Sequence, residues 1–275
     1  GHKVVAARRS GGRVLVLDVG ANNGAWSSEL VQNLIHYKAL DGRTHRKDLE
    51  MHLYEPNPKF SDTLRNLTAT SLPMATFHPV AAWKHNRSVN FHLSNTCLTC
   101  SSTNKVNAGL GGGSSSIDVA SIDLAAELKR LLPTAGTTSL LKLDIEAGEY
   151  QLLPHLMASR AICLVSHLLI EWHLNALPFH TRLEGLSLQK SLPMYLREAC
   201  DTPPVLFNEA FALNNWQARV PGLWELALFH NGTVVPKGVY SRGAARWDRV
   251  AEELARFAEP SAGAGTGSAD GGGIR

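Results

Sequence analysis

The sequence predicts an α/β fold with a mostly parallel central sheet and helices on both faces. From residue 13 to about residue 93, short apolar runs alternate with stretches of helical periodicity, the pattern of βαβ units. A glycine-containing turn joins the first of these runs to a helical pattern, and two later apolar runs end in charged residues. At 275 residues the chain can form one α/β domain with a sizeable core.

Each strand is predicted from a short apolar run, and each helix from apolar residues that recur every three or four positions. The predicted strands are Val14–Val19, Met51–Tyr54, Ala75–Val80, Val89–Leu93, Ser139–Leu143, Ala161–Ile170 and Leu223–Phe229. The predicted helices are Ala25–Ile35, Lys59–Leu67, Ile122–Leu132, Glu149–Met157 and Thr181–Ala199. We expect Pro154 to bend or end the fourth helix. The charged stretch Asp41–Glu50 is predicted to be a surface insertion.

We expect one domain over residues 13–258. The polar, glycine-rich segment Ser94–Ser116 is predicted to be either a mobile lid over a site or disordered. Residues 259–275 consist mainly of Gly, Ala and Ser and are predicted to be a disordered tail, because they cannot bury a core. The chain begins at Gly1 rather than at methionine, so its compartment and any N-terminal targeting segment stay open. The sequence defines no oligomeric state.

Composition excludes several classes of protein. The chain is 44% hydrophobic and 19% charged, with a formal charge of +3, so we expect no nucleic-acid partner. The longest apolar stretch, Ala161–Ile170, is about half of a membrane span, and we expect no membrane-spanning segment. Cys97 and Cys100 favour a disulfide or an inert pair over a metal site. Cys163 is predicted to be a small buried hydrophobic residue.

The turn after the first strand is the strongest candidate for a binding loop. It reads Asp18-x-Gly20-x-Asn22-x-Gly24. Glycine lets the backbone approach a ligand closely, and the N-terminus of the following helix offers unpaired N–H groups. The spacing differs from the G-x-G-x-x-G pattern of dinucleotide-binding loops. The alternative is a glycine turn that binds nothing.

Glu55 directly follows the second predicted strand and precedes Pro56. In nucleotide-binding α/β folds, an acidic side chain at this position accepts hydrogen bonds from ribose hydroxyls. The insertion upstream explains why Glu55 lies further along the chain than is usual. The alternative is a surface acid before a turn.

Two further clusters follow apolar strands. Lys142, Asp144 and Glu146 alternate with apolar residues, so we expect the three charged side chains to share one side of a strand. Glu171 and His173 share a face in the same way at the end of a later strand. Open α/β sheets bind ligands at the carboxyl ends of their strands. Glu149 is either part of this site or a simple helix-start carboxylate favoured by the helix dipole.

These motifs, in this order, resemble the FkbM-type methyltransferase family. The matching segments are Val16–Gly24, Tyr54–Pro58, Val80–Ala82 with Val89–Leu93, Ser121–Leu124, Lys142–Glu149 and Ile170–His173. They span about residues 14–173, over half of the chain. One difference is visible, because Ala147 and Gly148 stand in the opposite order to the family's pattern, which affects the turn after Glu146.

The resemblance implies a Rossmann-like class I methyltransferase that binds S-adenosylmethionine and methylates a hydroxyl oxygen. The cofactor-binding residues that it implies are Asp18, Gly20, Ala21, Asn22, Gly24, Glu55, Ala81 and Asp144. By this resemblance Gly20, Asn22 and Gly24 cradle the methionine end, Glu55 holds the ribose, and the end of the strand at Val80 and Ala81 lies near the adenine. The acceptor, a small molecule or a glycan, is not defined by the sequence.

His173 is the predicted general base, oriented by Glu171 or Asp144, with Glu146 contacting the acceptor. Near pH 7 an imidazole can take a proton from a hydroxyl, and a neighbouring carboxylate can orient the ring. The alternative is a histidine that only caps or packs at the end of a strand. We expect no metal, although a metal-assisted methyltransferase that uses Asp144, Glu171 and His173 is a third possibility.

Two other functions stay open. The first is a non-catalytic domain that keeps the fold and the cofactor. The second is a nicotinamide-dependent oxidoreductase, which is disfavoured because Asn22 occupies the place of the middle glycine of a dinucleotide-binding loop. In addition, none of the five tyrosines is followed by lysine four residues later.

Overall fold

The computed structural model describes residues 14–36, 49–94, 101–103, 114–133, 137–209, 229–230 and 233–234. Its strands are β1 (Val14–Val19), β2 (Leu49–Tyr54), β3 (Ala75–His78), β4 (Ala81–Trp83), β5 (Ser88–Ser94), β6 (Ser114–Asp123), β7 (Thr138–Leu143), β8 (His167–Glu171), β9 (Val205–Glu209), β10 (Phe229–His230) and β11 (Thr233–Val234). Its α-helices are α1 (Ala25–His36), α2 (Ser61–Thr70), α3 (Leu124–Leu131), α4 (Glu149–Ala158) and α5 (Arg182–Ala199).

The central sheet contains six parallel strands in the order β3-β2-β1-β7-β8-β9. This is the strand order of the Rossmann fold, in which the chain builds outward from β1 in one direction and then returns to build in the other. The direction reverses between β1 and β7. The predicted α/β fold with a mostly parallel central sheet is confirmed.

Helices cover both faces of this sheet. Successive residues of β1 point to opposite sides, so the strand packs against helices on each face. Leu15, Leu17 and Val19 pack into one apolar cluster with leucines of α3, α4 and α5. Val14 and Val16 pack into a second cluster with residues of α1 and α2. A strand buried on both faces reads as a continuous apolar run, which explains the sequence pattern.

A small second sheet, in the order β4-β6-β5, lies beyond the carboxyl end of β3. The predicted strand Ala75–Val80 was too long, since β3 ends at His78 and the chain enters β4 at Ala81. β6 was not predicted. It begins at Ser114, inside the segment predicted as a loop. Most of that segment, including Cys97 and Cys100, lies outside the described residues.

The predicted helix Ile122–Leu132 began two residues too early. Ile122 and Asp123 still belong to β6, and α3 begins at Leu124. The Asp123 carboxylate accepts hydrogen bonds from the backbone N–H groups of Ala125 and Ala126, so it caps the helix. Pro154 does not end α4, which continues to Ala158.

The predicted strand Ala161–Ile170 was wrong in its first half. Ala161–Leu164 forms a turn of 3-10 helix, and the strand begins at His167. A short apolar run does not distinguish a buried turn from a strand. Cys163 was also predicted wrongly, because it forms a disulfide with Cys200 at the end of α5.

The last strand of the sheet, β9, was not predicted. It pairs with β8 through Val205–Glu209, and its short apolar part is followed by polar residues. The predicted strand Leu223–Phe229 lies outside the described residues except for Phe229, which pairs in β10 with β11. The predicted insertion lies outside them up to residue 48, but its last two residues, Leu49 and Glu50, belong to β2, which therefore begins earlier than predicted. The tail from residue 259 also lies outside the described residues. No helix in the described part of the chain is long and apolar enough to cross a membrane.

Candidate functional site

A cavity of about 420 Å³ opens at the carboxyl ends of the central strands, where the strand order reverses. Open α/β sheets bind ligands at this position. The cavity is lined by Val19, Gly20, Asn22, Tyr54, Glu55, Pro56, Asn57, Phe60, Ala81, Ala82, Trp83, Phe91, Ser101, Thr103, Asp144, Ile145, Glu146, Glu171, His173 and Asn175. It therefore brings together segments that are up to 156 positions apart in the sequence (from residue 19 to residue 175).

The loop after β1 is fastened to the end of β2. The backbone N–H groups of Gly20 and Ala21 both donate to the carbonyl oxygen of Tyr54, at 3.0 and 3.2 Å. The N–H of Asn22, a residue in the left-handed region with φ of 52°, donates to Oε2 of Glu55 at 2.8 Å. The N–H group of Asn22 is therefore already hydrogen-bonded to the carboxylate of Glu55.

The two glycines of the loop are required by neighbouring protein atoms. Gly20 has φ of 86°, and a Cβ on it would lie 1.7 Å from the carbonyl oxygen of Asp144. Gly24 has φ of 79°, and a Cβ there would lie 2.3 Å from Cδ2 of Leu67. Both glycines were predicted to allow close approach by a ligand, whereas the close approaches in this structure are to Asp144, just beyond β7, and to Leu67 of α2.

Glu55 is buried at the cavity wall and holds both loops that flank it. Its Oε2 accepts from Asn22, and its Oε1 accepts from the N–H of Asn57 at 2.8 Å. Burial raises the pKa of Glu55 to about 7, although the two backbone hydrogen bonds oppose this shift. The carboxylate oxygens keep further lone pairs for a ligand that donates hydrogen bonds.

Asp18 and Lys142 form a buried ion pair beneath the site. Nζ of Lys142 lies 3.0 Å from Oδ1 of Asp18 and 3.1 Å from the carbonyl oxygen of Gly20. The hydroxyl of Ser27 donates to Oδ2 of Asp18 at 2.6 Å. Burial would lower the pKa of Lys142, but the charges of Asp144 and Asp18 raise it above its ordinary value. Asp18 therefore joins β1 to α1 and β7, and it does not line the cavity.

The residues after β7 form a tight turn. The strand ends at Leu143, so Glu146 is not held on a strand face as expected from alternation. Glu146 and Ala147 both lie in the left-handed region, with φ of 55° and 74°. The hydroxyl of Ser102 donates to the carbonyl oxygen of Glu146 at 2.6 Å. Left-handed backbone at non-glycine residues is uncommon and clusters at functional sites.

His173 lies among four carboxylates. Its Nδ1 is 3.1 Å from Oε1 of Glu149. Its Nε2 is 3.7 Å from Oδ1 of Asp144, 3.6 Å from Oε2 of Glu146 and 3.8 Å from Oε1 of Glu171. Three elements supply this group: the turn after β7, the start of α4 and the end of β8.

Electrostatics favour a positive charge at this centre. Burial would lower the pKa of His173, but Glu149, Glu146 and Asp144 outweigh burial and raise it to about 10. Burial and the charge of Asp144 raise the pKa of Glu171 to about 7, while His173 opposes this shift. Near neutral pH the imidazole therefore already holds its proton.

Most of the predicted site residues meet at the cavity. Those that line it are Gly20, Asn22, Glu55, Ala81, Asp144, Glu146, Glu171 and His173. Asp18, Ala21 and Gly24 do not. The aromatic residues Trp83 and Phe91 were missed, because the small sheet that carries them was not predicted as a unit. Whether Glu149 belongs to the site could not be decided from the sequence, because its position at the start of a helix was the only indication.

No protein-family model and no curated protein matches this chain. Among solved structures, the crystal structure of methyltransferase FkbM from Methylobacillus flagellatus KT is similar to it, with 18% sequence identity and a TM-score of 0.37. The similarity covers 67% of this chain and 37% of that chain, so this chain spans little more than a third of its structural relative. The strand order of the central sheet defines the fold independently of this similarity.

Proposed function

We propose that this chain is an S-adenosylmethionine-dependent methyltransferase that transfers a methyl group to a hydroxyl oxygen. The observation that carries the proposal is the negative charge of the cavity at the strand-order reversal, where Glu55, Asp144, Glu146 and Glu171 all line the wall. S-adenosylmethionine has a sulfonium and an ammonium group against one carboxylate, so its net charge is positive. A carboxylate-lined cavity favours such a ligand.

The charge of the cavity and the hydrogen bonds of the loop after β1 argue against a dinucleotide as the ligand. A dinucleotide places its pyrophosphate on the N–H groups of the loop after the first strand. Here Gly20 and Ala21 donate to Tyr54, and Asn22 donates to the Glu55 carboxylate. A pyrophosphate at this loop would lack these donors and would lie against a negative charge.

Glu55 is proposed to accept the ribose hydroxyls of the cofactor. Its carboxylate lies at the end of β2, and its orientation is set by Asn22 and Asn57 on either side. Ala81, at the start of β4, lines the same cavity and is proposed to contact the adenine. Gly20 and Asn22 line the cavity beside Glu55 and are proposed to face the methionine end. For Asp18, Ala21 and Gly24 we propose support of the loop rather than direct contact.

When bound, the cofactor supplies a methyl group already activated for displacement by its sulfonium. The residues of this chain must therefore orient the acceptor hydroxyl and deal with its proton. Asp144, Glu146, Glu171 and His173 line one part of the cavity and are proposed for this task. His173 can act as a general base only after its ring has lost the proton that the neighbouring carboxylates stabilise.

Calorimetry with S-adenosylhomocysteine and with NAD⁺ tests the cofactor. We expect a dissociation constant in the micromolar range for S-adenosylhomocysteine, about 8 kcal/mol, and no binding of NAD⁺. A preference for NAD⁺ would contradict the proposal. Incubation with labelled S-adenosylmethionine and a mixed library of hydroxyl acceptors then tests catalysis, with the methylated product identified by mass.

The non-catalytic alternative makes a different prediction from the same experiments. A domain that only binds the cofactor would show the calorimetric result but would transfer no label to any acceptor. Glu171→Gln is the matched variant for the catalytic test, because Oε1 of Glu171 lies 3.8 Å from Nε2 of His173 and Glu171 has no proposed contact with the cofactor. It should retain S-adenosylhomocysteine binding while turnover falls by about 100- to 10,000-fold, the range for loss of a positioned acid–base group.

A further inference from the structure

The geometry around His173 points to a divalent metal ion bound by Asp144, Glu146 and His173, and we propose this site. One donor atom from each of the three residues lies within 4.8 Å of the others. All three residues line the cavity, so an ion held there would keep open positions for an acceptor oxygen. Its role in methyl transfer depends on the proposed function, but its binding does not.

The distances fit a shared ion better than direct hydrogen bonds. Nε2 of His173 is 3.7 Å from Asp144 and 3.6 Å from Glu146. Charge-assisted N–H···O hydrogen bonds are about 2.7–2.9 Å long. An ion about 2.1 Å from each ligand atom holds adjacent ligand atoms roughly 3.0–3.5 Å apart. Inward movement of a few tenths of an ångström would place an ion between these atoms.

Both carboxylates have an oxygen near Nε2 of His173. Oδ2 of Asp144 contacts Nζ of Lys142 at 3.1 Å, which leaves Oδ1 facing His173. Oε2 of Glu146 lies 3.6 Å from the same nitrogen, on a left-handed backbone whose carbonyl oxygen accepts from the hydroxyl of Ser102. Oε1 of Glu171 lies 3.8 Å from Nε2 and adds a third carboxylate nearby.

The buried carboxylate of Glu149 contacts the other ring nitrogen of His173. The side chain of Glu149 is fully buried, and Oε1 lies 3.1 Å from Nδ1 of His173, whose side chain is only 13% exposed. Oε1 also accepts the N–H of Ile145 at 2.7 Å, so the carboxylate is held in place. Metal-binding histidines commonly donate one ring N–H to a carboxylate, which directs the other nitrogen at the metal. Here that other nitrogen is the one aimed between Asp144 and Glu146.

The donor set defines the class of ion. Carboxylate oxygens suit Mg²⁺ and Mn²⁺, whereas imidazole suits the transition metals, so a mixed set favours an ion such as Mn²⁺. Bound at this point, the ion would displace the proton of Nε2 to solvent, so His173 would be a ligand rather than the general base. The ion would then act as a Lewis acid on the acceptor's hydroxyl oxygen. It would lower the pKa of that hydroxyl and thus help to release its proton.

Manganese alone is the probe for the test. The full chain is treated with a chelator, freed of it, and titrated with Mn²⁺ while electron paramagnetic resonance follows the free ion. We expect one ion per chain and an electron–nitrogen coupling from a ligating imidazole. His173→Gln should abolish that coupling, and Glu146→Gln should weaken binding at least about tenfold. Glu149→Gln should weaken it by about 10- to 100-fold through the ring orientation.

The control is Glu198→Gln, which changes an exposed carboxylate on α5 paired with Arg197 and should leave Mn²⁺ binding unchanged. If His173→Gln does not fold, Glu146→Gln decides the result. The site is refuted if the wild-type chain does not bind Mn²⁺ saturably at millimolar concentration, or if the folded variants bind it equally well. Mn²⁺ binding without transfer to any hydroxyl acceptor would instead refute the proposed function and leave the site standing. Methyl transfer that chelators leave unchanged would refute the ion's role.

Discussion

Oε1 of Glu149 lies 3.1 Å from Nδ1 of His173, and this contact joins the first residue of α4 to a residue just beyond the end of β8. Glu149 is fully buried and does not line the cavity, whereas His173 does. The helix start therefore sets the orientation of the ring that the candidate site uses. A carboxylate at the first turn of a helix is also favoured by the helix dipole.

Glu149→Gln should lower the pKa of His173 in chelator-treated protein. An opposite charge within hydrogen-bonding reach commonly shifts a pKa by about 1–3 units. Nuclear magnetic resonance of the labelled imidazole measures the change directly, with Glu198→Gln as the control. The assignment fails if His173 of the wild-type protein titrates near pH 6.5.

The same shift has a consequence for stability. Because the folded pKa of His173, about 10, exceeds the value of about 6.5 in the unfolded chain, its stabilisation is fully present below pH 6.5 and is lost as pH rises to 10. Glu149→Gln should show a smaller loss over this window, by about 1.4 kcal/mol for each unit by which the pKa falls.

Asp18→Asn should destabilise the fold, because it leaves the buried Lys142 without one of its partners. Removal of one partner from a buried ion pair typically costs about 3–5 kcal/mol. Asp62→Asn, which breaks an exposed pair with Arg65 on α2, is the matched control and should cost at most about 1 kcal/mol. Denaturant unfolding measures both. A stable Asp18→Asn variant that has lost cofactor affinity would instead support direct contact between Asp18 and the cofactor.

Gly20→Ala should be more damaging than Gly24→Ala. Both glycines have positive φ, so each alanine carries a backbone strain of about 1–3 kcal/mol. The added Cβ at Gly20 also meets a backbone oxygen, that of Asp144, at 1.7 Å, whereas at Gly24 it meets the end of the Leu67 side chain, which can move. Unfolding free energies test the ranking, and equal losses in the two variants would show that the Asp144 contact relaxes freely.

The sequence predicted the central strands well because they are buried on both faces and read as uninterrupted apolar runs. Val14–Val19 was predicted with the bounds that the structure shows. The strands β4, β6 and β9 were missed or misplaced. Ser114–Asp123 is polar at many positions, and its pairing with β5 is decided by tertiary contacts rather than by local pattern.

Most of the candidate site could be predicted for a related reason. Parallel strands bring their carboxyl ends to one edge, so Glu55, Asp144 and Glu171 could be placed together from the strand assignments alone. The role of Glu149 could not, because a carboxylate at a helix start has an ordinary explanation. Nor could the left-handed turn at Glu146, since neither it nor Ala147 is glycine. The structural role of Asp18 could not be predicted either, because its partner Lys142 lies 124 residues away in the sequence.

Glu55 should make cofactor affinity depend on pH. Burial raises its pKa to about 7 in the free protein, and ribose hydroxyls that donate to the carboxylate would favour its ionised form. Binding of S-adenosylhomocysteine below pH 7 should therefore release a proton, and affinity should fall about tenfold per pH unit from pH 7 downward.

The contribution of Glu55 to the unfolding free energy of the free protein should show the opposite pH dependence. This contribution decreases as pH rises from about 4.5 to 7, because the folded chain holds this proton more tightly than the unfolded chain does.

Calorimetry in two buffers of different ionisation enthalpy counts the released proton. Glu55→Gln should bind with an affinity that is nearly independent of pH between 5.5 and 8, and Glu55→Ala should lose about 1.5–3 kcal/mol at pH 8, the range for a hydrogen bond to a charged group. Asp62→Asn changes an exposed side chain that does not line the cavity and should keep the wild-type profile. If the wild-type protein binds equally well at pH 6 and pH 8 without proton release, Glu55 does not hold the ribose, because an ionised acceptor with a raised pKa cannot bind a donor without this linkage.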